Sequence, residues 1–157
     1  MGIMLVLRLK PYFGTKAVKN KFLVVIALMS GLTACSSVPV NTENAEFVPE
    51  MRIYKAEMFT KNQKDASRVT FLRDSGYFGS GCSHDMYINN QKVFAIRQSE
   101  QATVYLKPDF YIFRLETGGG LCPNIAISQE IDLKPNVEAK YRILMASDMM
   151  LRFIRLQ

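Results

Sequence analysis

From Arg68 onward the chain is cut into short apolar runs by turn residues, and this punctuation constrains the fold more than any other feature. The runs fall at 69–72, 86–88, 92–96, 103–106, 110–115, 125–133, 139–145 and 151–156. Between them stand Ser75-Gly76, Asn89-Asn90, Ser99, Pro108-Asp109, Gly118-Gly119-Gly120 and Pro135-Asn136. The runs are too short for ordinary helices and rich in β-branched and aromatic residues, the pattern of a sandwich or barrel. In 125–133 apolar Ile125, Ile127, Ile131 and Leu133 alternate with polar Ser128, Glu130 and Asp132, which marks a strand with one buried and one wet face. No strand alternates with a helical stretch, which excludes a parallel nucleotide-binding sheet. The fold class expected is all-β: an antiparallel β-sandwich of seven or eight short strands over residues 68–157. Phe71, Ile88, Phe94, Leu106, Ile112 and Ile143 are its expected buried positions, each worth roughly 1.5–3 kcal/mol.

The charge is unevenly spread. Of 20 basic residues five (Arg8, Lys10, Lys16, Lys19, Lys21) lie in 1–34 without an acid, leaving 15 against 14 acidic residues in the remainder. The folding part is therefore almost neutral and lacks the footprint of a nucleic-acid binder. Lys16, Lys19 and Lys21 precede an apolar stretch too short to span a bilayer and of the length of a signal core. It ends in Leu32-Thr33-Ala34-Cys35, which resembles the lipobox of bacterial lipoproteins. That resemblance implies cleavage between Ala34 and Cys35 and a lipid on the Cys35 thiol. Ser36 resembles the outer-membrane sorting pattern, implying a lipid anchor in the outer membrane facing the periplasm. The plainer alternative is a secretory signal in which a cysteine happens to follow alanine. Residues 1–17 add a second apolar patch that a signal does not need, so translation is expected to begin at Val18.

Three further segments complete the expected organisation. Residues 35–48, with Pro39 and Asn41-Thr42-Glu43-Asn44, read as a lipidated tether. Residues 49–67 read as a short helix or linker, since Met51, Tyr54 and Met58 share a helical face behind Pro49. Residues 52–59 also fit a strand. The sandwich then occupies 68–157.

Met86-Tyr87-Ile88-Asn89-Asn90-Gln91-Lys92-Val93-Phe94 resembles a hairpin of small bacterial lipoproteins that carry a PEGA-like β-sandwich domain. Val104-Tyr105-Leu106-Lys107-Pro108-Asp109-Phe110-Tyr111 and the segment 132–143 resemble their next two hairpins. Asn90, Asp109 and Asn136 stand where that pattern has glycine, and Asn and Asp are the residues that best replace glycine at positive φ. The resemblance implies a lipid-anchored β-sandwich and transfers no catalytic residue.

The remaining motifs bear on chemistry. Setting Cys35 aside leaves Cys82 and Cys122, each behind a glycine-rich loop, as an even pair in an exported chain; a disulfide is expected rather than two buried thiols. No Cys-x-x-Cys is present to tune a redox site. Ser83-His84-Asp85 holds the letters of a triad, but consecutive residues cannot converge as a triad must. Cys82, His84 and Cys122 make at most three zinc ligands, so no metal and no cofactor is expected. Asp74, Asp85, Asp109 and Glu116 lie near turns and read as surface charge. Tyr77 and Phe78, flanked by Gly76, Gly79 and Gly81, either cap one end of the sandwich or form an aromatic contact surface. The function expected is a non-catalytic, lipid-anchored envelope module that binds an envelope protein or peptidoglycan. The alternatives are a lipoprotein inhibitor of the lysozyme-inhibitor type and, less favoured, a cell-wall enzyme.

Overall fold

The computed structural model describes residues 37–117 and 122–156, and the short apolar runs become strands almost run for run. In chain order these are β1 (Glu46–Phe47), β2 (Ser67–Arg73), β3 (His84–Ile88), β4 (Gln91–Ile96), β5 (Glu100–Leu106), β6 (Asp109–Thr117), β7 (Ile125–Leu133), β8 (Glu138–Met145) and β9 (Leu151–Arg155). They form a five-stranded sheet ordered β1-β5-β2-β8-β9 and a four-stranded sheet ordered β4-β3-β6-β7. The fold is an all-β sandwich.

Most neighbours are antiparallel, but β2 and β8 pair in parallel, with Phe71 opposite Tyr141, and so do β1 and β5. The purely antiparallel expectation is corrected on this point. A parallel pair needs a long crossover, and here the chain between β2 and β8 builds the whole second sheet before returning. Residue spacing within each run carries no information about that return.

Phe71 lies near the centre of the core. Its ring lies 5.4 Å from that of Phe94 and 5.5 Å from that of Phe113, both across the sandwich, and 5.8 Å from Tyr141 on β8. Ile88, Phe94, Leu106 and Ile143 are buried with it, as expected. Ile112 is not: it is 39% exposed, while Phe113 and Leu115 face inward. The run 110–115 is apolar on both faces, and the phase is set by Arg114 and Glu116, which share the outward face with Ile112 and form an ion pair there.

Two hairpin turns take the conformation expected of asparagine. Asn90 has φ +62° and Asn136 φ +55°, joined by Asn89 at +48°. Asp109 is different: it opens β6 and is absent from the positive-φ residues.

The N-terminal segment departs most from expectation. Within the span read as a tether, Val38 bridges Ser75, Val40 and Ala45 cover Leu72, and Val48 enters the main core. From Val38 onward the segment is part of the sandwich, because its few apolar residues find the outer face of β2 and the edge of β5. Over 49–67 the structure has two 3-10 turns, Glu50–Arg52 and Ala56–Phe59, instead of a helix. Between them Ile53 bridges Phe94, so the chain covers the exposed edge of β4. The Arg52 guanidinium grips the Glu100 carboxylate with both Nη atoms and also donates to the Ala95 carbonyl at 3.0 Å.

Candidate interaction site

Strand directions bring β2, β4, β6 and β8 to the same end of the sandwich, so the loops 74–83, 97–99 and 146–150 meet there. A backbone bond from Ser99 N–H to the Arg73 carbonyl, 3.0 Å long, continues the pairing of β2 with β5 into this end. Here too lies the disulfide: Cys82 and Cys122 are bonded, with Cα atoms 5.8 Å apart. The pairing expected from cysteine parity is present.

The aromatic loop stands on a fixed base. Ser75 exchanges two backbone hydrogen bonds with Val38, at 2.7 and 3.1 Å. Gly79 takes φ +65°, and a Cβ there would meet Met145 Sδ at 2.7 Å, so glycine is required both by conformation and by space. Cys82 N–H closes the turn onto the Gly79 carbonyl at 3.0 Å, and Arg73 Nη2 donates to the same carbonyl at 3.1 Å. On this base Tyr77 and Phe78 meet edge to face at 5.7 Å. They differ in exposure: Phe78 is half-buried, whereas Tyr77 is 77% exposed.

Beneath the loop lie charged and polar groups that residue spacing did not mark as special. Arg73 follows Val69 and Phe71 on the inward face of β2 and is fully buried; its Nε and Nη1 make no hydrogen bond. Burial lowers its pKa to about 10, against the opposing pull of neighbouring Asp74, so the guanidinium stays charged at neutral pH. Asp74 is itself buried, correcting its reading as surface charge. Its carboxylate accepts from Val40 N–H at 3.1 Å and lies 3.2 Å from Arg142 Nε. Burial pushes its pKa up, partly offset by the Val40 hydrogen bond and the two arginines. His84, also fully buried, points into the sandwich from the start of β3, and neither ring nitrogen has a partner. Alternation along β3 sends Ser83 and Asp85 away from it, and Asp85 pairs with Lys92 at 2.7 Å. The signal for Arg73 was parity, since it continues the inward series Val69, Phe71. The same parity places His84 inward, in series with Met86 and Ile88.

Ala34 and Cys35, the expected cleavage and lipidation positions, lie outside the described residues. Among the described residues no three His, Cys, Asp or Glu side chains come together as a metal would need. A surface groove of about 400 Å³ runs beside β5, lined by Phe47, Ile53, Phe59, Arg68 and Tyr105. No protein-family model matches the chain, and no curated protein matches it.

Proposed function

We propose that this chain is a non-catalytic module of the bacterial cell envelope, held to the membrane by a lipid on Cys35. It engages another envelope component through the end of the sandwich that carries Tyr77. The observation that carries this reading is the Leu32-Thr33-Ala34-Cys35 box, set behind a lysine-rich and apolar leader and immediately ahead of a folded sandwich. The Cys82–Cys122 disulfide supports it, because such bonds persist in oxidising compartments and are rare in the cytosol. The hairpin motifs support a relationship to the PEGA-like lipoprotein domains, since Asn90 and Asn136, though not Asp109, take the positive φ that glycine adopts readily. A large solvent-exposed aromatic ring on a pinned loop supports binding, since such a ring gains by being covered.

Metabolic labelling of expressing bacteria with a clickable fatty acid tests the reading. The wild-type protein takes up label and Cys35→Ser does not; label retained in Cys35→Ser, or absent from the wild type, overturns it.

A further inference from the structure

Val38 is paired to the sandwich on both sides of its peptide, through Ser75, at the end that bears the aromatic loop. Cys35 stands three residues earlier. Three residues of fully extended chain reach about 10–11 Å, so a lipid on Cys35 enters the bilayer beside this end. The opposite end lies about 25 Å away along β6. A long free tether would let either end reach the bilayer; two intervening residues keep the Val38 end within about 11 Å of the anchor.

The surface chemistry of the two ends agrees with that placement. At the Val38 end the exposed large apolar side chains are Val38 (57%), Tyr77 (77%), Met149 (59%) and Met150 (62%), with Arg97 exposed among them. Gly79 packed on Met145 holds the loop of Tyr77 against the β8–β9 turn that carries the two methionines. Asp74 is buried there, and Asp148 is paired with Arg152 at 2.7 Å. The loops of the opposite end expose Lys61, Lys64, Lys107 and Lys134. One end therefore groups exposed apolar side chains around an amphipathic ring, and the other carries four exposed lysines beside Phe110.

We propose that the Val38 end rests on the bilayer that holds the Cys35 lipid, with Tyr77, Met149 and Met150 at the boundary between headgroups and acyl chains. This inference rests on the lipidation proposed above and names the envelope component that the aromatic loop meets. Tyrosine favours that boundary because its ring is apolar and its hydroxyl stays wet. Methionine is flexible enough to fit among lipid chains. Side chains at loop tips reach the roughly 5–10 Å depth at which interfacial segments sit.

The chain has no tryptophan, so a single introduced indole reports its own depth. Full-length lipidated Tyr77→Trp, Met150→Trp and, at the far end, Phe110→Trp are reconstituted into phosphatidylcholine vesicles with and without bromine-labelled acyl chains. The expected result is at least a twofold loss of fluorescence on brominated lipid for Tyr77→Trp and Met150→Trp, and none for Phe110→Trp. Proteins that float with the vesicles but show no quenching at either near-end position overturn the inference while leaving the anchor intact. So does an indole at position 77 that is shielded in intact envelopes by a crosslinked protein instead of by lipid. Wild-type protein that does not float with vesicles overturns the anchor, and this inference with it.

Discussion

Removing the Arg52 side chain isolates the contact that fastens the N-terminal segment to the sandwich. Arg52 and Glu100 are only 15% and 10% exposed at their side chains, and Glu100 also accepts the Arg97 N–H at 2.7 Å. In Arg52→Ala the carboxylate stays buried with that single donor, and the Ala95 carbonyl loses its partner. Breaking a buried pair on one side costs about 3–5 kcal/mol. With a urea slope of about 2 kcal/mol per M, this lowers the unfolding midpoint by roughly 2 M. The pH dependence is a sharper check. Burial pushes the Glu100 pKa up, but the Arg52 hydrogen bond and the Arg97 N–H outweigh it and hold the carboxyl below its ordinary value. A depressed carboxyl contributes stability above its unfolded pKa of about 4.3 and loses it as pH falls through the folded value. In the variant the Arg52 contribution is gone, burial dominates, and protonation relieves the fold instead of weakening it. The gap between wild type and Arg52→Ala is therefore full at pH 7 and shrinks at pH 3. Urea unfolding followed by circular dichroism at both values measures it. A gap under about 1 kcal/mol at pH 7 would refute the reasoning, and so would a gap equal at the two pH values.

Three further outcomes are expected. Replacing both Cys82 and Cys122 by alanine opens a crosslink with a sequence separation of 40, which costs about 4 kcal/mol by chain entropy; an unchanged urea midpoint contradicts this. Gly79→Ala, at φ +65° and against Met145, destabilises by about 1–3 kcal/mol, whereas Gly81→Ala, with nothing within 4 Å, stays within about 1 kcal/mol of wild type. Equal thermal midpoints for the two variants would count against the packing account of the loop. His84→Leu removes two unpartnered buried nitrogens at similar volume and leaves stability unchanged or raises it. A loss above about 2 kcal/mol would show that the imidazole has a partner on which the fold depends.

Much of the sandwich was legible because turn residues break the chain at nearly every strand end. Ile125–Leu133 matches its apolar run residue for residue. Ile112 was misplaced although its phase was available: Arg114 and Glu116 share its parity, and a charged pair fixes an outward face better than isoleucine fixes an inward one. The parallel partnership of β2 with β8 was not legible, since both strands read as ordinary apolar runs and pairing depends on which sheet the chain has already filled. The segment 38–59 was misread because its apolar residues are scattered singly among polar ones. It docks through a few separated contacts, Val40, Val48, Ile53 and Arg52, that make no periodic pattern. At the site, cysteine parity gave the disulfide and the glycines gave the loop. The seating of Gly79 against Met145, which fixes the base of that loop, is a contact between residues far apart in sequence.

The position of β2 has a consequence for the order in which this fold can assemble. Ser67, at its start, donates its hydroxyl to the Lys134 carbonyl and accepts the Val137 N–H at 2.9 Å, and the strand then zips against β8 through Arg73. Each of these contacts closes a loop of roughly seventy residues, a slow event whose entropy cost must be met before the pairing helps. The hairpins β3–β4 and β6–β7 are local and can form as the chain emerges. The sheet that holds Phe71 cannot close until residues 138–145 are free to move. Until then β2 carries an unsatisfied edge and an uncovered aromatic core, so the interval between the emergence of β2 and that of β8 is when this chain is most exposed to mispairing.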